Sequence, residues 1–409
     1  MSDLREIVWL DGGVCAPRGF VAAGVRCSLK QSGLDLGLLA SEVPCPAAGM
    51  FTTNTLPGWP VVLSRQALAD GGAFSGIVVN SGVSNVATGE AGLALADEMR
   101  SLARAAIADR LGAEAGQVLI AQTGVIGELP DAAKIRTGVK LAGLGLSRAG
   151  GPAFAEAIMT TDTRPKIRAC EARCGAGTFR IGGSAKGAGM IAPRMATMLA
   201  FVTTDAKLTS AAARGLLVPA VNRSFNRVTV DGDTSTSDSV FLLANGVSGV
   251  DPAVDRDAGA AFADALSALC EALALDLVRD AEGATRVCKI EVCGAATDAD
   301  ALVAARTIAE SPLVKTALFG ADPNWGRIWA ALGRSGARTD PARLSISIGG
   351  TPVLDRGTPC PGGKAAAAAK MLQPEVTFMV DLGLGSGAAH YWFSDLSDEY
   401  VRINADYHT

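Results

Sequence analysis

Histidine is nearly absent from this chain of 409 residues: His390 and His408 are the only two, both close to the C-terminal end. A Ser-His-Asp or Cys-His device needs an imidazole beside its nucleophile. Either one of these two serves, or the chemistry uses another base. His390, in AAHYWF, reads as a packed or hydrogen-bonded core residue, and His408 as an exposed one near the chain end. An excess of positive charge is also missing. With 37 Lys and Arg against 41 Asp and Glu, the net charge is −4, so nothing electrostatic points to nucleic acid. No apolar run approaches the roughly 18 residues of a membrane span. The N-terminal MSDLREIVWLDGGV has no basic segment leading into an apolar stretch, and the expected location is cytoplasmic. The nine cysteines are an odd number without a disulfide framework, so reduced thiols are expected. Cys170 and Cys174, in CEARC, read as inert thiols in a solvated loop, because no nearby histidine or second pair completes four metal ligands.

Hydrophobic residues make up 49% of the chain, charged residues 19%, and there are 48 glycines. This describes a folded, alanine- and glycine-rich enzyme of two layers or two lobes rather than a disordered or fibrous chain. Segments 76–80, 117–122, 239–245 and 286–294 are short, apolar and bounded by turns, as buried strands are. Segments 90–111 and 260–279 repeat their apolar residues at helical spacing. The fold class is mixed α/β, with no internal repeat and no long linker. Gly182, Gly183, Gly187 and Gly189 crowd into GGSAKGAGM, where close backbone approach or positive φ is expected. This run leads into IAPRMATMLAFVTTDA, an apolar segment with a threonine, Thr197, at its centre.

An enzyme without a suitable histidine can use the α-amine of an N-terminal threonine, whose ordinary pKa of about 7.7–8.0 makes it a base near neutrality. Attack of the Thr197 hydroxyl on the Ala196 carbonyl would create such a terminus. The plainer reading of Thr197 is a buried β-branched residue bonding a carbonyl. Val230-Asp231-Gly232-Asp233-Thr234-Ser235 matches the DxDxT loop of haloacid-dehalogenase-type phosphatases, with Asp231 as phosphoryl acceptor, although Ser235 replaces the threonine. The same run fails as a calcium loop at Thr236 and Leu242, and its plain reading is a tight acidic turn. GGSAKGAG is no Walker A loop, because Gly187 follows Lys186.

Nine blocks in order then resemble one family: GFVAAGV (19–25), AGMFTTN (48–54), QTGVIGELP (122–130), IMTTDTRPK (158–166), KGAGMIAPRMATMLAFVTTDA (186–206), SFNRVTVDGDTSTSD (224–238), RDAEGATR (279–286), DPNWGRI (322–328) and YVRINADYHT (400–409). They are similar to the bifunctional ornithine acetyltransferase and glutamate N-acetyltransferase family of the cyclic arginine pathway. The resemblance implies a layered αββα sandwich like the N-terminal-nucleophile fold. It also implies self-cleavage between Ala196 and Thr197, giving chains 1–196 and 197–409, with two copies of each in a tetramer. Thr197 would carry the acetyl group from N-acetylornithine to glutamate with no cofactor, and acetyl-CoA is a further candidate donor. Thr123 and Gly124 fall on the oxyanion-hole positions. Thr160, Lys186, Thr197, Glu282, Asn404 and Thr409 fall on the substrate-binding positions. Lys186 suits a substrate carboxylate, and Glu282 suits an amino group or its proton. Asn404 and Thr409 require the C-terminal tail to fold back.

Within otherwise matching blocks, Trp59, Val83 and Ser237 depart from the family pattern, as does YWFSDLSDEY (391–400). If Trp59, Val83 and Phe393 border the pocket they alter its size and hydrogen bonding. A secondary-metabolism relative acting on another amino acid or acyl group is therefore the alternative, and the Asp231 phosphatase a distant one.

Overall fold

The computed structural model describes residues 7–112, 115–192 and 198–406. Ala196, Thr197, His408 and Thr409 lie outside the described residues. The chain divides into two compact units, one made of Met1–Gly187, Arg194–Asn226 and Asp233–Leu277, the other of Ala188–Pro193, Arg227–Gly232 and Val278–Thr409.

The first unit holds two sheets. Strands Phe20–Val25, Leu36–Cys45, Phe74–Val83 and Gln117–Val125 form one, in that order. Its residues alternate between two apolar clusters, as a pleated strand buried on both faces requires. Ile77, Val79, Leu119 and Ala121 point one way, toward Leu199, Phe201, Phe241 and Leu243 of the other sheet. Val78, Val118 and Ile120 point the other way, onto Ala96, Met99, Ala103, Ile135 and Val139. Those last residues lie on the helices Gly89–Leu111 and Ala132–Gly145. The second helix starts at Asp131, whose side chain accepts the amides of Ala133 and Lys134, leaving fewer orphan donors in the first turn.

The six-stranded sheet runs Ile7–Leu10, Lys166–Cys174, Gly177–Lys186, Leu199–Thr204, Ser239–Ala244, Ala47–Phe51. Between the sheets Phe154, Phe201 and Phe241 are in ring contact at 5.1 and 5.8 Å, each fully buried and each stabilising the fold by roughly 1.5–3 kcal/mol. On its far face Phe179 meets Phe262 of helix Arg256–Arg279 at 5.4 Å. The layers are therefore helix, sheet, sheet, helix: the αββα sandwich expected. All the strands and helices anticipated above are present: 76–80, 117–122, 90–111 and 260–279 extend by one to five residues, 286–294 shifts by one, and 239–245 ends one residue earlier. Cys170 and Cys174 are strand residues, not a loop, because 166–174 pairs along its whole length with 177–185. Burial pushes the Cys170 thiol up to about 12. All nine cysteines are free thiols.

The second unit is built on a seven-stranded sheet, ordered Val228–Thr229, Gly387–Ser394, Val287–Ala295, Glu375–Asp381, Ser345–Ile348, Thr351–Asp355, Thr358–Pro359. Ile290, Val292, Ile346, Phe378, Val380 and Phe393 form its core with Ala301, Ala305, Ile308 and Leu318, from helices Asp298–Ala309 and Pro312–Phe319. His390 is a half-buried residue of strand Gly387–Ser394, paired opposite Glu291. Among the described residues no helix is long and apolar enough to cross a membrane.

Candidate active site

The parallel strands Phe74–Val83 and Gln117–Val125 end together, with Ser81 beside Thr123 and Gly82 beside Gly124. Gly124 has φ +129°, and a Cβ there would lie 2.2 Å from the Gly82 carbonyl carbon. Only glycine lets the two strand ends approach this closely. Thr123 and Lys186 are both nearly inaccessible, at 4% and 3% exposure. The Lys186 Nζ donates to Thr123 Oγ1 at 3.2 Å. A lysine donating to that oxygen occupies one of its lone pairs and leaves the hydroxyl proton to donate elsewhere.

Asp162 organises the same unit. Its carboxylate accepts Lys166 Nζ at 2.6 Å, the Gly187 amide at 2.7 Å and the Thr160 amide at 3.0 Å. Burial alone would raise its pKa, but Lys186, Lys166 and the Gly187 amide outweigh burial and hold it below the ordinary carboxylate range. One buried carboxylate thus fixes the backbone at Thr160 and immediately after Lys186. Lys30, half-buried with its pKa lowered chiefly by burial, donates to the Met159 carbonyl at 2.8 Å.

Strand Gly177–Lys186 pairs with Leu199–Thr204 so that Lys186 faces Leu199. Met198, just before that strand, donates its amide to Asp238 Oδ1 at 2.7 Å, and its carbonyl accepts the Ser239 amide at 3.2 Å. Burial raises the Asp238 pKa well above the ordinary value against the opposing pull of the Met198 amide, Lys186 and the Ser235 amide. Sequence reasoning passed over Asp162 and Asp238, although both sit inside the quoted blocks. An isolated aspartate has no spacing signature until its amide partners are folded around it.

In the second unit Glu282 donates its amide to Ala188 O at 2.9 Å, and its Oε2 accepts Asn404 Nδ2 at 2.8 Å. Asn404 lies on helix Asp398–Asp406, so the tail does return to a residue 122 positions earlier in the chain. A Cβ on Gly189 would lie 2.3 Å from Glu282 Oε2, the close approach the glycine run anticipated. Asp231 accepts the amides of Met190 and Ile191 at 2.6 and 3.0 Å and the Tyr400 hydroxyl at 3.2 Å. These bonds favour the plain reading of the run over the phosphatase alternative: Asp231 caps two backbone amides and accepts a phenol, as a brace of an acidic turn does.

The departures from the family pattern resolve separately. Phe393 is a fully buried core residue against Phe378 at 6.3 Å, and Trp59 packs onto the cluster on the helix side of the four-stranded sheet. Each fills apolar volume in its own unit, which is the plainer of the two readings for these positions. Val83 is different, since its amide nitrogen is 2.6 Å from where a Gly124 Cβ would be. Ser237 is buried, its amide held by Ser235 Oγ at 3.1 Å.

The four-layer sandwich, with the Thr123 hydroxyl, the Lys186 cation and the buried Asp162 carboxylate in one unit, defines an αββα-fold protein with a buried polar cluster. More narrowly, the chain belongs to the ArgJ family, whose model matches residues 21–409. It is 48% identical over 405 residues to the arginine biosynthesis bifunctional protein ArgJ of Symbiobacterium thermophilum, covering 98% of this chain and 100% of that one. The ArgJ protein of Dehalococcoides mccartyi is 47% identical, with 98% of each covered. Among solved structures, ArgJ from Bacillus halodurans is 42% identical with a TM-score of 0.48, covering 51% of this chain and 98% of that chain. The ornithine acetyltransferase of Mycobacterium tuberculosis, complexed with ornithine, is 37% identical with a TM-score of 0.43, covering 46% and 98%.

Proposed function

We propose that this chain transfers an acetyl group from N-acetylornithine to glutamate through an acetyl-Thr197 intermediate, after cutting itself between Ala196 and Thr197. Acetyl transfer in arginine biosynthesis follows from membership of the family; the steps and residue roles are the proposal. One observation supports it above others. Thr123, its hydroxyl held by Lys186, is in the same unit as Met198, and the strand that Met198 precedes is the one paired with Lys186. The residue next to the nucleophile thus immediately precedes the strand partner of Lys186, whose side chain holds the candidate oxyanion donor.

In self-cleavage the Thr197 Oγ adds to the Ala196 carbonyl carbon, the C–N bond breaks, and the hydroxyl proton passes to the departing amine. Water then hydrolyses the ester, leaving a carboxylate on Ala196 and a free amine on Thr197. That amine is the base for the next step: it takes the Oγ proton as Oγ attacks the acetyl carbonyl of N-acetylornithine, and ornithine leaves with the proton. Glutamate reverses the sequence and carries the acetyl group away. Charge on the carbonyl oxygen is met by the Thr123 hydroxyl and the Gly124 amide. Thr160, Lys186, Glu282, Asn404 and Thr409 bind the amino acids, Lys186 at the carboxylate and Glu282 at the amino group. The mature enzyme is a cytoplasmic tetramer of two copies of each fragment, and acetyl-CoA is a further donor.

The experiment is an intact-mass spectrum of purified protein, before and after mixing with N-acetylornithine alone. Two fragments beginning at Met1 and Thr197 are expected, the second gaining one acetyl mass. Thr197→Ala stays uncut and inactive, and Thr197→Ser keeps part of both activities. A single full-length species in active protein sinks the reading. Cut but unlabelled protein refutes the double displacement alone.

A further inference from the structure

Asp238 is 1% exposed and precedes strand Ser239–Ala244, second from the edge of the six-stranded sheet. Its Oδ1 accepts the Met198 amide at 2.7 Å, the Ser235 amide also pulls on the carboxyl group, and Oδ2 is buried with no hydrogen bond among the described residues. A buried polar atom left in this way costs about 1–3 kcal/mol. A strand end with only packing to satisfy would be better served by an apolar residue, so the carboxyl group is there for what it holds.

What it holds is one specific peptide unit. The Met198 N–H shares a plane with the carbonyl and Cα of Thr197, because the peptide bond has partial double-bond character. The other end of Met198 is tied by the Ser239 amide to its carbonyl. The two hydrogen bonds therefore hold the amide and the carbonyl of Met198, the residue that follows Thr197. Thr52, whose amide bonds the Asp238 carbonyl at 3.0 Å and whose hydroxyl bonds the Ser235 carbonyl at 2.7 Å, holds Asp238 and its loop in turn.

We propose that Asp238 is a positioning residue that sets the Thr197–Met198 peptide plane for both self-cleavage and acetyl transfer, acting as a hydrogen-bond acceptor. The inference rests on Thr197 being the nucleophile. It requires an acceptor at Oδ1 and no ionised group, so asparagine can replace aspartate and alanine or leucine cannot.

The test follows cleavage of freshly synthesised full-length chain over time by denaturing gel, in the parent, Asp238→Asn, Asp238→Ala and Asp238→Leu, with cooperative melting followed in parallel. Asp238→Asn is expected to cut within about threefold of the parent rate. Asp238→Ala and the space-filling Asp238→Leu are expected to cut at least tenfold more slowly, since a misplacement of about 1 Å costs up to a hundredfold. In whatever fraction matures, kcat should fall while KM for N-acetylornithine stays within about twofold. Parent-like cutting by Asp238→Leu or Asp238→Ala overturns the proposal. So does a folded Asp238→Asn cut at least tenfold more slowly than the parent, an outcome that holds even if the two apolar variants do not fold. If the parent itself is never cut, it is the Thr197 reading that fails, not this one.

Discussion

Removing the Asp162 carboxylate tests the organisation of the first unit most directly. The Asp162–Lys166 pair has side-chain exposures of 0% and 1%, so Asp162→Leu removes the carboxylate that pairs with the Lys166 ammonium in the interior. Breaking a buried pair from one side costs about 3–5 kcal/mol. The amides of Gly187 and Thr160 lose their acceptor in the same step, each at about 1–3 kcal/mol when buried. The sum rivals the whole stability of an ordinary domain, about 5–15 kcal/mol, so Asp162→Leu is expected to be marginally folded. Adding Lys166→Met removes the buried ammonium but not the orphaned amides, and the double variant should regain about 3 kcal/mol over Asp162→Leu. Asp162→Asn keeps an acceptor without charge and should fall between. Urea unfolding of the parent and the variants gives these differences. The pH dependence has a fixed sign: the folded-state pKa of Asp162 lies below its unfolded value, so the pair stabilises fully at neutral pH. That contribution is lost as pH falls through the folded pKa, and the loss is absent in the double variant. An Asp162→Leu variant within about 1 kcal/mol of the parent, or a double variant no better than it, would refute the reasoning.

Other outcomes are expected on the same physical grounds. Gly124→Ala places a methyl 2.2 Å from backbone at φ +129°; costing upward of about 3 kcal/mol, it should lower the melting temperature by roughly 6–12 °C, and an unchanged melt would show that the strand ends can part freely. Gly189→Ala meets only the movable end of Glu282, so stability should change by less than about 1 kcal/mol while kcat/KM falls about tenfold or more; unchanged kinetics would remove Glu282 from the site. Lys315, fully buried, has its pKa lowered from 10.5 to about 8 by burial, against the opposing pull of Asp395 and Asp231. Between those two values the folded state releases its proton first, so stability relative to Lys315→Met should rise by roughly 3 kcal/mol from pH 8 to 10.5; a flat difference in chemical-denaturation midpoints would count against it.

Sequence by itself determined the element types where periodicity was strong. Residues 260–279 could be read as a helix, and 76–80 and 117–122 as buried strands, because burying one stripe or both faces of a segment leaves a repeat of 3.6 or an unbroken apolar run. It also determined the family, since nine ordered blocks outweigh any single pattern. Sequence anticipated close backbone approach in the glycine run, and Gly189 against Glu282 fulfils that by geometry. Tertiary structure alone decided which polar residues converge. Asp162 is joined to Gly187 across 25 positions and Asp238 to Met198 across 40, and neither distance leaves a trace in local spacing. The same is true of exclusions. The motif at Asp231 left a nucleophile and an acidic turn both open until Met190, Ile191 and Tyr400 were placed on its oxygens, and only the fold puts Phe393 and Trp59 on apolar clusters. Periodicity records how much of a segment is buried; the identity of a side chain's partner is set by sheet order and strand register, which only the folded chain fixes.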